Sequence, residues 1–254
     1  MLPVKLRAHI TKLQQKKYRR LHNEFIVEGL KGVEEAIKKN GKVLFIVVEE
    51  NYYAKNKIKN ILKILEKRGI NIFVCEQKDI SRIKTTATYP GISAIIKAEI
   101  FSLEDLINST PILAFDKIND PGNLGTIMRT AEWFGVNNIL ISEDSVDPYN
   151  DKCVRSTMGS IFNSKIFLSD NLVKSIKLLK DKGYKIVSLD IIGDDIELLR
   201  PIKKTVYLFG SESHGLSPEL EKFIDRRYTI KGKGNTESLN ISVSASILLS
   251  KLEH

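Results

Sequence analysis

The 254-residue chain predicts an α/β fold in two parts. Short β-branched and aromatic runs alternate with amphipathic helical stretches along almost its whole length, the pattern of helices layered on sheets. That alternation is punctuated at Ser109-Thr110-Pro111, where proline disfavours helix in the residue before it. Charge changes at the same place. Residues 1–110 hold 21 Lys and Arg against 12 Asp and Glu, whereas residues 111–254 hold 19 against 19. The whole formal charge of +9 therefore belongs to the first part. The expected organisation is a small basic α/β domain over residues 1–108 and a parallel-sheet α/β domain over 109–251. The terminal Leu252-Glu253-His254 reads as a tag remnant.

The elements follow in order. A basic helix is expected near 4–17, then a strand at Phe25-Ile26-Val27 and a helix over Leu30–Lys39. A strand at Val43–Val48, a helix over Ala54–Lys67 and strands at Ile72-Phe73-Val74 and Gly91–Ile96 come next, with a helix near Leu103–Asn108 closing the first part. The second part opens on the apolar strand Ile112-Leu113-Ala114-Phe115, followed by the dense turn signal Asn119-Asp120-Pro121-Gly122. The next stretch has Leu124, Ile127, Met128 and Ala131 at offsets of one helical face, leaving Arg129 off that face. Strands at 139–141, 166–168, 186–189, 206–209 and 228–230 alternate with helices at about 171–182 and 218–223, and a last helix starts near Asn240.

Composition narrows the function. The longest apolar run, Val43–Val48, is far short of the roughly 18 residues a membrane span needs. The amino terminus lacks the apolar stretch of a signal peptide, so a cytoplasmic protein is expected. Cys75 and Cys153 are too far apart to suggest a zinc site and read as buried apolar residues, and the four histidines show no metal-ligand spacing, so no metal is expected. Residues 1–20 carry Lys5, Arg7, Lys12, Lys16, Lys17, Arg19 and Arg20 and no acid. Such a run is either a solvated helix face or an electrostatic footprint for nucleic acid, holding phosphates without reading bases.

Three segments each follow a predicted strand, where open α/β sheets place their ligands. They are Asp120–Arg129, Gly210–Leu216 and Ile230–Ser242. Each alone has a plain structural explanation: Gly122 and Gly125 for a tight turn, Gly210 and Gly215 for a strand end, Ser238 or Asn240 for a helix cap. Gly232-x-Gly234 lacks the third glycine of a dinucleotide fingerprint.

Together, in order and spacing, the three resemble the motifs of the SpoU (TrmH-like) branch of the SPOUT RNA methyltransferases. The carriers are Asn123-x-Gly125-x-x-x-Arg129 with Phe134-Gly135, then Gly210-x-Glu212-x-x-Gly215-Leu216, then Ile230 and a glycine-rich loop before Ser238-Leu239-Asn240-Ile241-Ser242-Val243. Phe25-Ile26-Val27-Glu28-Gly29 and the helix after it look like the ribosomal-protein-like substrate-binding domain that often precedes this catalytic domain.

The resemblance implies transfer of a methyl group from S-adenosylmethionine to a ribose 2′-hydroxyl of RNA, ribosomal RNA rather than tRNA. It implies a deep carboxyl-terminal trefoil knot, which no pattern argument finds, and a homodimer. It puts the cofactor on Leu208, Gly210, Ile230, Gly232, Leu239 and Asn240, and the chemistry on Arg129, Asn123, Glu212, Ser238 and Asn240. Arg129 would activate or orient the hydroxyl, with Asn123 positioning it. Glu212 would shape the pocket, and Ser238 would meet the target phosphate. Where the family commonly has proline after the isoleucine of the third motif, this chain has Lys231. A non-catalytic RNA-binding or ribosome-assembly protein that keeps the fold is the alternative, and the complete set of motif residues argues against it.

Overall fold

A computed structural model describes residues 2–107 and 111–252, with the side chain of Lys57 left out. The expected boundary at 108/109 and the terminal Glu253 and His254 lie outside the described residues. The chain forms two compact units, residues 1–99 with 147–162, and residues 100–146 with 163–254. The expected domains thus differ from the units in two segments: residues 100–107, with the helix expected to close the first part, pack with the second unit, and residues 147–162 leave the second part of the sequence to pack with the first.

The first unit contains α1 (Val4–Leu13), α2 (Lys16–His22), β1 (Glu24–Glu28), α3 (Leu30–Lys38), β2 (Lys42–Glu49), α4 (Glu50–Tyr53), α5 (Lys59–Lys67), β3 (Asn71–Cys75), α6 (Gln77–Ile83) and β4 (Ile92–Lys97). Its sheet has the order β1-β4-β2-β3, with β4 antiparallel to both neighbours and β3 parallel to β2. One core joins Leu2, Ile10 and Leu13 of the amino-terminal segment to Ile26, Val47, Ile80 and Ile95. The expected helix at 4–17 is two helices. The break has a cause in Arg19, whose Nη1 donates to the carbonyls of Leu13 and Gln14 at 2.9 and 2.8 Å and so ends α1.

The second unit contains α7 (Leu103–Leu106), β5 (Ile112–Phe115), α8 (Pro121–Trp133) and β6 (Asn138–Ser142). The helix α9 (Asp151–Thr157) then belongs to the first unit. The second unit resumes with β7 (Lys165–Ser169), α10 (Leu172–Asp181), β8 (Lys185–Asp195), β9 (Thr205–Phe209), α11 (Pro218–Glu221), β10 (Arg226–Thr229) and α12 (Ile241–Ser250). The six strands are all parallel, in the order β10-β8-β9-β5-β6-β7. Their central members β5, β6 and β9 are buried throughout, as a sheet covered on both faces requires. The chain leaves β5 toward β6 on one side and returns to β9 on the other, which makes the carboxyl end of β5 and β9 a topological switch point. No helix among the described residues is long and apolar enough to cross a membrane.

Candidate active site

The site forms in the second unit, on the loops that leave β5, β9 and β10. The loop after β5 is pinned first. Ser142 Oγ accepts from the Lys117 amide at 2.9 Å, and Ser145 Oγ from the Ile118 amide at 3.2 Å. Asp116 is buried and ties two loops together: its amide donates to Phe209 O at 2.8 Å, and its Oδ2 accepts from the Ser217 amide at 2.7 Å. From there α8 starts with Pro121 at its first position and Asp120 as cap, the Asp120 carboxylate accepting from the Asn123 amide at 2.8 Å.

The loop after β9 folds back on itself. Ser211 and Gly215 exchange backbone hydrogen bonds of 2.9 and 3.0 Å. A Cβ on Gly210 would stand 2.2 Å from the Gly215 carbonyl carbon, so only glycine fits there. Gly215 takes a φ of +68°, which also favours glycine. This fold presents Glu212 to solvent.

The loop after β10 ends at α12, whose cap is Asn240. Asn240 Oδ1 accepts from the Ser242 amide at 2.8 Å and from the Ser242 hydroxyl at 2.6 Å. Its Nδ2 donates to Asn123 Oδ1 at 3.0 Å, and Asn123 Nδ2 donates to Glu212 Oε1 at 3.0 Å. One hydrogen-bond chain therefore runs from the start of α12, through the start of α8, to a carboxylate. Its direction follows from chemistry, because an ionised carboxylate only accepts. That turns the Asn123 amide nitrogen toward Glu212 and its oxygen toward Asn240, and the Asn240 oxygen is left for the helix. Two helix amino termini also carry positive partial charge beside Glu212.

The structure thus brings together Asn123, Glu212 and Asn240, one from each motif. The others stand apart from this chain. Arg129 is exposed on α8, and among the described residues it makes no hydrogen bond to Asn123, whose amide is occupied on both sides. Ser238 is exposed and lies two residues before the cap, so Asn240 and not Ser238 opens the helix. Leu208 has its side chain in the core, which leaves only its backbone for a ligand. Gly210 and Ile230 are half-buried. Lys231, at the position of the family's proline, pairs with Asp195 at 3.0 Å. Asp116, Ser142 and Ser145 shape the site and were not singled out from the sequence, whereas Asp120 was read there as part of a turn and not as the helix cap; an aspartate directly after a buried strand was the available signal for Asp116.

The loops fit an adenosine-containing cofactor by the chemistry they offer. Residues 231–239 are exposed and form no backbone hydrogen bond among the described residues, so their donors and acceptors are open to a ligand. Leu239, 48% exposed, adds an apolar face. No group of three or more His, Cys, Asp or Glu able to hold a metal occurs among the described residues.

In the first unit the basic terminus divides. Lys5, Lys12 and Lys17 are exposed. Arg7 is half-buried against Asp79 at 2.7 Å. Arg19, expected at an RNA surface, is instead buried at 7% exposure, its Nε 2.6 Å from an Asp147 carboxylate that is 4% exposed. A guanidinium so placed is spent inside the unit. Lys16 and Arg20 are half-buried.

Comparison with known proteins agrees with these features. The SpoU rRNA methylase family matches residues 110–250, and an MRM3-like substrate-binding domain matches residues 8–94. The chain is 30% identical over 239 residues to the 23S rRNA (guanosine(2553)-2′-O)-methyltransferase RlmP of Bacillus subtilis, covering 94% of this chain and 92% of that one. It is similar to the crystal structure of an AdoMet-bound rRNA methyltransferase from Sinorhizobium meliloti, at 28% identity and a TM-score of 0.85 over 99% of this chain and 96% of that one. A TrmH-family RNA methyltransferase structure from Porphyromonas gingivalis matches at 25% identity and a TM-score of 0.80, over 99% and 98% of the two chains. With its motif loops, its parallel sheet and these matches, the chain belongs to the SpoU rRNA methylase family and is an S-adenosylmethionine-dependent RNA ribose 2′-O-methyltransferase.

Proposed function

We propose that the substrate is ribosomal RNA and that the motif residues divide the work as follows. The hydrogen-bond chain Asn240–Asn123–Glu212 carries the reading, because it joins all three motif segments at the switch point. When bound, S-adenosylmethionine supplies a sulfonium methyl already activated for displacement. The cofactor would rest on the backbone of Gly210, Ile230 and Gly232 and on Leu239. The Asn123 amide locks the three loops at fixed separations, which positions the reacting groups. Arg129, exposed on α8, orients the ribose hydroxyl and stabilises the negative charge that develops on its oxygen as the methyl is transferred and the proton passes to solvent water; guanidinium itself holds its protons too strongly to act as an ordinary base. Ser238, on the exposed loop before α12, would meet the target phosphate. Exposed Lys5, Lys12 and Lys17 give the first unit its hold on the RNA backbone.

The ribosomal assignment is supported by the name of the Bacillus subtilis relative and by the substrate-binding domain match. Family membership supports a knotted carboxyl-terminal segment. It also supports a homodimer, for which the 84% exposed Trp133 of α8 offers apolar surface; the mass of the chain in solution tests that point. The Bacillus subtilis relative is a bacterial enzyme, and bacterial ribosomes are built in the cytoplasm, which supports a cytoplasmic site of action.

The test is methyl transfer from labelled cofactor to ribosomal RNA of cells lacking the gene, with ribose methylation mapped. Arg129→Ala is expected to bind cofactor normally and to lose methyl transfer by about a hundredfold or more. Turnover like that of the native chain would remove Arg129 from the mechanism. Transfer to tRNA alone would overturn the ribosomal assignment.

A further inference from the structure

The lysine patch of the first unit contains aromatic rings as well as charge. Tyr18 of α2 has Lys12 Nζ 5.5 Å and Lys17 Nζ 5.9 Å from its ring centroid. One turn on, the His22 ring lies nearly parallel to it, 12° between planes and 6.5 Å between centroids. His9 meets the His22 ring edge-on at 4.8 Å, and His9 Nε2 lies 2.6 Å from a Glu24 carboxylate oxygen. Leu21 beside them is 66% exposed. The group is held in place. Arg19, next to Tyr18, is buried and bonds to Leu13 O, Gln14 O and Asp147, which fixes α2 against the end of α1 that carries Lys12. Lys97 Nζ donates to the His22 carbonyl at 2.5 Å and closes the far end of α2.

We propose that Tyr18 and His22 form a stacking platform for an unpaired stretch of the substrate RNA, the arriving base displacing Lys12 and Lys17 from over the Tyr18 ring so that their ammonium groups neutralise the phosphates on either side of it. This rests on the reading of the substrate as RNA. Lysines alone attract any polyanion, duplex included. An aromatic face adds affinity only for a base free to leave its own stack, so the combination selects single strands. It does not select sequence, because every base has a π-face. Rigid anchoring matters as well: a ring already fixed loses little freedom when a base arrives.

Binding of the full chain to a labelled oligoadenylate and to an RNA duplex of the same length, followed by anisotropy across a range of salt, tests this. The native chain is expected to prefer the single strand. Tyr18→Leu keeps apolar bulk without the π-face; it should melt like the native chain and lose single-strand affinity by about tenfold or more with no change in salt dependence. Tyr18→Phe should restore the affinity. Lys12→Gln and Lys17→Gln should each lower the slope of log affinity against log salt by roughly 0.7. Native-like binding by Tyr18→Leu, or an equal loss on single strand and duplex, would overturn the platform. If the native chain binds neither RNA, the substrate reading falls with it. Intact native binding with an indifferent Tyr18 rejects the platform alone.

Discussion

The two units position their functional groups by opposite means. The second, formally neutral in its part of the sequence, sets polar residues on a loop and at two helix starts and lets them hold one another, as Glu212, Asn123 and Asn240 do. The first, which carries the excess charge, buries part of it. Arg19 and Asp147 form an enclosed ion pair, and the charges left outside face solvent from helices that this pair anchors. Charge in the first unit is thus both scaffold and surface, while in the second the scaffold is an apolar parallel sheet. Variants that strike one device should spare the other.

The largest effect is expected at the hub of the second unit. Asn123→Asp is nearly isosteric but replaces the donor facing Glu212 with a second acceptor, so two carboxylates meet where one hydrogen bond was. Methyl transfer is expected to fall by about a hundredfold or more. RNA binding through the first unit should be unchanged. Measuring both on one preparation checks this, and native-like turnover would show that the chain of amides is incidental. At the equivalent point of the first unit, Arg19→Ala leaves the buried Asp147 carboxylate without its counter-charge, held only by the Tyr149 amide at 3.0 Å, and strips two carbonyls of their donor. That costs about 3–5 kcal/mol. Hydrogen exchange should show the loss in residues 1–99 and 147–162 only. Uniform loss over both units would defeat the comparison. Arg19→Met with Asp147→Leu removes both charges and should recover most of the stability.

The same contrast governs what the sequence made legible. The three motif segments were readable because each joins a recognisable strand to a loop rich in Gly, Ser and Asn. Their meeting point was not, since Asn123 and Asn240 are 117 residues apart and only the strand order of the sheet brings them together. In the first unit, the helix break after Leu13 carries no glycine or proline; it is made by a side chain six residues away. Two helices gave no usable signal. α6 offers only Ile80 and Ile83 to the core, and Asp151–Thr157 has little intrinsic helix preference. The latter forms because Asn150 caps it and Cys153, Val154 and Thr157 are buried, contacts supplied by a unit whose remaining residues lie about fifty or more positions earlier in the chain. A segment of the second half of the sequence folding into the first unit is not visible from local pattern.

The smallest expected effect sharpens the comparison furthest, because both cysteines lie in the first unit. Cys75 closes β3 and Cys153 sits on α9; both are buried thiols. Burial, reinforced by the nearby Asp79 carboxylate, pushes the Cys75 thiol up to about 11. At pH 8 only about one molecule in a thousand then carries the reactive thiolate in the folded state. Alkylation should be slow and should proceed through opening of the unit, so it reports on that unit and not on the second. Two consequences separate this from simple inaccessibility. Between the ordinary thiol value of 9.0 and about 11, the unfolded thiol ionises before the folded one, so the stability of the first unit should decline as pH rises through that window. In Arg19→Ala, both thiols should become reactive at pH 8 while exchange in the second unit stays slow. Rapid alkylation of Cys75 in the native chain at pH 8 would mean that the thiol is neither enclosed nor held protonated, and the buried charge pair could no longer be regarded as what keeps this unit closed.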